Sequence, residues 1–321
     1  MQRIAGGQSN PTFFVTLGAT RLVLRKKPAG TVLPSAHAVD REYRVISSLA
    51  TTDVPVPEPV LFCADVSVIG TPFYLMRQLD GRVFHNAALP AVAPAERHAM
   101  YLSMAESLAR LHDVDPAAIG LADFSRPGNY FERQIRRWTT QYRLARWRDL
   151  PDLEAVIAWL PEHLPPAEPA RICHGDFRVG NLMFHPTEPH VIGVLDWELS
   201  TLGQPLADVA FSALGWLTTP EEYGGIKGLD HDALGIPSHE TYLAHYFASR
   251  RTRASHEVAP FHTIFALFRF AVILEGIAAR ARAGSAVAEN AAAVGELAPI
   301  FARRAAEAIR AVPYNAAPRR A

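Results

Sequence analysis

The sequence predicts an α+β fold in two lobes, a small strand-rich N-terminal lobe followed by a larger, mostly helical one. Three observations carry this expectation. The chain has 321 residues, more than one compact core usually holds, so two domains or two lobes are expected. Up to Leu79, short runs of β-branched and apolar residues alternate with turn residues. After Gly81, apolar residues recur every three or four positions, the period of helices that bury one face. The boundary falls in a short junction over residues 76–81, giving lobes of residues 1–79 and 80–321.

In chain order, Gly6-Gly7-Gln8-Ser9-Asn10-Pro11 is small and flexible. Residues 12–17 and 20–25 read as strands joined by a turn at Gly18-Ala19. After a loop over 27–34, Ser35 is a candidate cap for a helix to Ala50, with Val39, Tyr43, Ile46 and Ala50 on one face. Pro55, Pro57 and Pro59 form a stiff connector, and residues 60–64 and 72–79 read as two more strands. In the second lobe, a helix over 95–112 aligns Tyr101, Met104, Leu108 and Leu111. Another over 129–148 aligns Phe131, Ile135, Trp138 and Tyr142, and both stripes predict core packing. A Pro-rich connector over 161–169 leads into a short mixed block, 171–198. Helices are then expected from Leu206, Ser238, Pro260 and Ala286, the last reaching Val312, with 313–321 as a frayed tail.

Composition excludes several classes. The hydrophobic fraction is 49% and the charged fraction 20%, as in an ordered globular chain. Lys plus Arg and Asp plus Glu are 32 each, which gives no support to a whole-surface nucleic-acid binder. Cys63 and Cys173 cannot make a disulfide framework or a cysteine-based zinc site, so a reducing, cytoplasmic setting is expected. No apolar run is long enough for a membrane span, since residues 261–279 are broken by His262, Arg269 and Glu275. The N-terminus lacks the apolar core of a signal peptide.

The densest chemistry lies in residues 172–198. His174-Gly175-Asp176 is followed by four residues and then Asn181; an apolar strand then leads to Asp196-Trp197-Glu198. Phosphoryl transfer needs these residue types. One carboxylate orients the attacking hydroxyl and accepts its proton, while an amide oxygen and a second carboxylate suit Mg²⁺ on nucleotide phosphates. Asp176 and Asn181 have the spacing of the kinase H-R-D-x-x-x-x-N loop, and Asp196 stands where the magnesium Asp of D-F-G stands. With His-Gly-Asp and Asp-Trp-Glu in those places, the chain resembles the aminoglycoside phosphotransferase and choline kinase branch of the protein-kinase-like fold. The phrases over 6–12, 22–28 and 195–203 are similar to phosphotransferase domains found alone in bacteria or joined to acyl-CoA dehydrogenases.

The resemblance implies an ATP- and Mg²⁺-dependent small-molecule kinase, with Asp176 as the base and Asn181 and Asp196 as metal ligands. His174 would brace the loop, as would Asp208. Arg178 fits a cation near the γ-phosphate as well as it fits a surface ion pair, and Glu198 fits either a metal or substrate contact or a backbone contact. Gly6, Gly7 and Ser9 would let backbone N–H groups approach phosphates, although a glycine pair before a strand is a weak signal alone. Period-two alternation puts Val23, Arg25 and Lys27 on one strand face. The kinase lysine then maps onto Arg25, with Lys27 second, and Glu42 would pair with it. Met76, Arg77 and Leu79 would form the adenine hinge. The chain begins a few residues before the glycine loop, where family members carry more, so the resemblance implies a shortened first strand.

For the acceptor, Arg126, Arg133, Arg136, Arg137, Arg143, Arg146 and Arg148 face one acid, Glu132, in the same stretch. This run is either a solvated helix face or a field that attracts an anionic hydroxyl acceptor. The resemblance implies a hydroxyacyl-CoA-type substrate and a functional link to an acyl-CoA dehydrogenase. Arg269, Phe261, Phe265, Phe268 and Phe270 are candidates for an acyl pocket or for core. Two alternatives are an aminoglycoside phosphotransferase and a non-catalytic nucleotide-binding protein. A metal-dependent hydrolase using His174, Asp176 and Asp196 lacks a spaced histidine pair.

Overall fold

The computed structural model describes residues 2–4, 10–28, 38–125, 128–252, 257–284 and 290–312. Its N-terminal lobe is built on a five-stranded antiparallel sheet: β1 (Gln2–Arg3), β2 (Thr12–Leu17), β3 (Thr20–Lys26), β4 (Pro59–Cys63) and β5 (Phe73–Arg77), in the order β1-β2-β3-β5-β4. The hairpin between β2 and β3 pairs Thr12 with Arg25 and Leu17 with Thr20. Alternation along β3 separates its two faces. Leu22 and Leu24 pack with Phe73 and Leu75 on the outer side, and Val23 and Arg25 turn toward the interlobe cavity.

Helix α1 (Val39–Leu49) packs against β4 and β5 and buries Val39, Glu42, Val45, Ile46 and Leu49. The buried stripe is therefore rotated from the expected one: Tyr43 is half-buried and Ala50 exposed. The cause is Glu42, a carboxylate drawn into the core by polar partners described below. The expected cap, Ser35, lies outside the described residues, and Ala38 precedes the helix with no side-chain cap. A single turn, α2 (Val66–Ile69), is capped by Asp65, whose side chain accepts from Ser67 N at 2.8 Å.

The second lobe carries two small sheets and most of the helices. One sheet pairs β7 (Arg171–Cys173) with β10 (Thr201–Gly203); the other joins β6 (Arg82–Val83), β8 (Leu182–Phe184) and β9 (Val191–Val194). Around them stand α3 (Pro94–Asp113), α4 (Tyr130–Ala145), α5 (Pro151–Trp159), α6 (Pro205–Ser212), α7 (His231–Leu234), α8 (His239–Ser249), α9 (Pro260–Arg282), α10 (Ala291–Gly295) and α11 (Ala298–Ala311). The stripes read on α3 and α4 are buried as expected, and Asn129 caps α4 through Glu132 N. Helix α5 is absent from the sequence expectation. Nine residues make a marginal helix alone, and this one is held by packing on α9 and α11. The helix expected over 286–312 is two helices, with Pro299 in the first turn of α11, where a missing N–H costs nothing. Residues 285–289 and the expected tail, 313–321, lie outside the described residues.

The fold is thus α+β, with the two-lobed architecture of the protein-kinase-like class. The main core crosses between the lobes: Val39, Val45, Ile46 and Leu49 of α1 belong to the same cluster as Met104, Leu108, Leu182, Val194 and Trp197. Among the described residues, no helix is long and apolar enough to cross a membrane.

Candidate active site

The loop between β7 and β8 is held from below. His174 is fully buried, with Nε2 2.8 Å from the Leu195 carbonyl and Nδ1 accepting from Asp176 N at 3.1 Å. This geometry makes the ring a brace between the loop and the segment after β9. Asp208, buried on α6, accepts from His174 N and from Gly175 N, the latter at 2.9 Å. Burial opposes the Asp208 charge, but the 3.5 Å approach of His112 Nε2 and the nearby Arg269 guanidinium hold its pKa below the usual range. Gly175 is required by geometry: its φ is +86°, and a Cβ there would lie 2.6 Å from the Leu199 carbonyl.

On this braced loop, Asp176 is half-buried and its carboxylate accepts from Asn181 Nδ2 at 2.7 Å, with Arg178 Nε at 3.4 Å. Asn181 Nδ2 also donates to the Asp176 carbonyl at 2.8 Å. Leu195 N in turn donates to the Asn181 carbonyl at 2.8 Å, which ties Asn181 to the chain just before Asp196. Asp196 has a φ of 65°.

Arg25 spans the lobes. Its Nε lies 2.7 Å from Glu42, and its Nη2 lies 2.6 Å from Asp196 and 3.7 Å from Glu198. Burial works against the Arg25 cation, but Asp196, Glu42, Tyr74 and Glu198 outweigh it and raise the pKa. Glu42 is held further by Tyr74 Oη at 3.1 Å and by Asn10 Nδ2. Burial nonetheless pushes its pKa upward.

A cavity of about 1330 Å³ gathers most of the residues singled out from sequence. Arg25, Met76, Arg77, Leu79, Asp176, Arg178, Asn181 and Asp196 line it, with Glu198. Glu42 stands behind Arg25 rather than in the wall, and Lys27 lies outside the lining. Gly6, Gly7 and Ser9 lie outside the described residues. The cavity continues into an apolar arm formed by Phe211, Leu214, Phe270, Ile273, Ile277 and Phe301.

The arginine run needs correction. No described arginine between 128 and 148 lines the cavity. Arg143 pairs with Glu154, Arg146 with Asp149, and Arg148 with Glu275 and Glu296, so acids from elsewhere in the chain neutralise the C-terminal end of the run. Arg126 lies outside the described residues. Of the aromatic run, Phe270 alone reaches the cavity; Phe261, Phe265 and Phe268 are core, and Arg269 is buried over the Phe211 ring at 4.4 Å. Asn10, Tyr223 and Arg280 escaped the sequence reading. Asn10 sits beside the glycine pair, and Glu-Glu-Tyr-Gly-Gly at 221–225 is the turn-like signal that marks Tyr223.

Asn181 commits its Nδ2 to Asp176, which leaves its amide oxygen for a cation. With the Asp196 carboxylate, this is a hard-oxygen donor set of the kind Mg²⁺ takes. A different cluster, His112, Cys173 and Asp208, lies buried beneath the loop. Burial pushes the Cys173 thiol well up, and the Asp208 oxygens are engaged by backbone N–H groups, so that cluster is a brace rather than an ion site.

A model of the family described as "Phosphotransferase enzyme family" matches residues 1–256. Acyl-CoA dehydrogenase family member 10 of Mus musculus is 44% identical over 299 residues, covering 91% of this chain and 27% of that protein. The chain thus spans about a quarter of that relative's length. A crystal structure from Ralstonia eutropha, of a protein provisionally named an aminoglycoside phosphotransferase, is 43% identical with a TM-score of 0.85, covering 96% of this chain and 92% of that one. An aminoglycoside phosphotransferase in ternary complex with AMP-PNP and hygromycin B aligns with a TM-score of 0.62 at 14% identity, covering 94% and 93% of the two chains, a likeness of fold.

Proposed function

This chain belongs to the phosphotransferase enzyme family, and we propose that it transfers the γ-phosphate of ATP to a hydroxyl of a small-molecule acceptor. One observation carries the reading: Asp176, Asn181, Asp196 and Arg25 all line a single cavity between the lobes. Asp176 orients the acceptor hydroxyl and takes its proton as the new O–P bond forms and ADP departs. Asn181 keeps that carboxylate aimed, while Arg178 contributes positive charge beside it. Arg25, steadied by Glu42, presents a fixed fork to the α- and β-phosphates. Met76, Arg77 and Leu79 form the wall for the adenine. Asn181 and Asp196 would hold Mg²⁺, which neutralises phosphate charge when bound.

The acceptor we favour is a hydroxyacyl thioester of the coenzyme-A type, an anion with an apolar body, and a functional link to an acyl-CoA dehydrogenase follows from that choice. Support comes from the apolar residues that line the same cavity as Asp176 and from the 44% identity to a protein named for acyl-CoA dehydrogenation.

The test is Mg²⁺-ATP consumption with hydroxyacyl-CoA thioesters, simple alcohols, choline and kanamycin as acceptors. Phosphorylated thioester is the expected product. Kanamycin phosphorylation with no thioester product would overturn the acceptor reading, and no transfer to any hydroxyl would overturn the kinase reading.

A further inference from the structure

Tyr223 has a φ of 64°, in the left-handed region that bulky residues rarely enter. Its loop is closed on itself. Lys227 N donates to the Thr218 carbonyl at 2.8 Å, Gly225 N to that of Thr219 at 3.0 Å, and Gly224 N to that of Pro220 at 3.0 Å. Glu222 is pinned from the other side by Arg304 of α11, Nε to Oε2 at 3.0 Å. Gly225 sits so close to Thr218 that a Cβ would lie 2.0 Å from its carbonyl oxygen. The surroundings thus over-determine a backbone conformation that Tyr223 would not choose, the circumstance in which strain persists at functional positions.

The ring that this backbone presents stands at a junction. On one side the Arg178 guanidinium carbon lies 5.8 Å from the ring centroid. On the other, Phe270 meets it edge-to-face at 4.8 Å, and Phe270 meets Phe301 at 4.7 Å. Arg178 is the residue whose Nε lies 3.4 Å from the Asp176 carboxylate. All of these side chains line the same cavity. Tyr223 therefore links the ionic end of the cavity to its apolar arm.

We propose that Tyr223 is the acceptor-positioning residue of the site: its ring holds Arg178 beside Asp176 and forms the step over which an acceptor with an apolar chain lays its hydroxyl-bearing end. The chain then runs along Phe270 toward Ile273 and Phe301. This assignment rests on the phosphoryl-transfer reading for the identity of the bound molecule as an acceptor.

The probes are 3-hydroxybutyryl-CoA and 3-hydroxydecanoyl-CoA, titrated by calorimetry into the parent chain and into Tyr223→Phe, Tyr223→Leu and Tyr223→Gly, with AMP-PNP as the control ligand. Tyr223→Phe should bind both thioesters as the parent does. Tyr223→Leu and Tyr223→Gly should bind the decanoyl probe about 3- to 10-fold more weakly, the worth of one aromatic contact, with AMP-PNP affinity unchanged. The same two variants should bind the longer chain no better than the shorter one, and in turnover they should raise the acceptor KM and also lower kcat, since the ring holds Arg178 beside Asp176. Tyr223→Gly should also melt higher than Tyr223→Leu, because glycine relaxes the positive φ. Unaltered thioester binding in Leu and Gly, an equal loss for AMP-PNP, or a parent chain that binds neither thioester would each overturn the assignment. Tyr223-dependent binding with no phosphoryl transfer would leave the assignment standing and overturn the kinase reading instead.

Discussion

Arg25 and Asp196, 171 positions apart, stand 2.6 Å from each other and close the gap between the lobes. The same guanidinium reaches the buried Glu42, so one side chain joins the sheet, α1 and the segment after β9. Arg25→Ala would leave Glu42 buried without its cation, at a cost of about 3–5 kcal/mol. Urea unfolding should show that loss together with weakened ATP binding. Arg25→Lys should fall between, since a point charge cannot hold both carboxylates as a fork does. Stability equal to the parent in Arg25→Ala would show that Glu42 is protonated in the fold.

Asp176→Asn keeps the shape of the side chain and removes its charge. Phosphoryl transfer should fall on the order of 10²-fold or more, the scale of a lost general base. ATP affinity should hold, because Asp176 is assigned to the acceptor side. Equal turnover in variant and parent would take Asp176 out of the mechanism.

Asp196→Ala removes one of two proposed oxygen ligands and also the partner of Arg25. Titration of Mg²⁺ against ATP affinity should lose its dependence in the variant while remaining steep in the parent. An unchanged magnesium dependence would mean that the ion is held by other groups.

His262 supplies a pH test away from the site. Burial lowers its pKa from 6.5 to about 4, between the rings of Phe131 and Phe261. Below pH 6.5 the unfolded chain takes up a proton that the folded imidazole refuses, so stability falls as pH drops from 6.5 toward 4. Above 6.5 both states are neutral and this residue adds no pH dependence. His262→Phe should flatten that acid limb by about 3 kcal/mol at pH 4 relative to the parent. A parent-minus-variant difference that stays constant from pH 4 to 7 would show the folded imidazole accepting its proton.

Much of the fold was legible because its signals are local. Period-two alternation along β3 placed Val23 and Arg25 on one face, and the stripes of α3 and α4 were complete in the sequence. The His174–Asp176–Asn181 spacing works the same way: a short loop brings residues two and five apart into hydrogen-bond reach. By contrast α5 and the break between α10 and α11 depend on packing against α9, which no local window contains. The inward turn of Glu42 was hidden for a related reason. A helix places a carboxylate in its core only when partners distant in sequence receive it, and those are Arg25, Tyr74 and Asn10.

The sequence alone determined the two-lobed α+β order, because that rests on local periodicity, and it pointed to Asp176, Asn181, Asp196 and Arg25 through spacing together with the family resemblance. Only the tertiary structure decided where charge and apolar surface face. Seven arginines between 126 and 148 read equally as a solvated helix face or as a positive field, and Arg143, Arg146 and Arg148 meet acids brought in from Glu154, Asp149, Glu275 and Glu296. Phe270 looked the same as Phe261, Phe265 and Phe268, but helical rotation turns Phe270 into the cavity and the others into core. Tyr223 reached the site through a glycine-closed loop pinned by Arg304, 81 residues further along the chain. A residue's own identity sets its chemistry, whereas its exposure and its partners are set by whatever the rest of the chain packs against it.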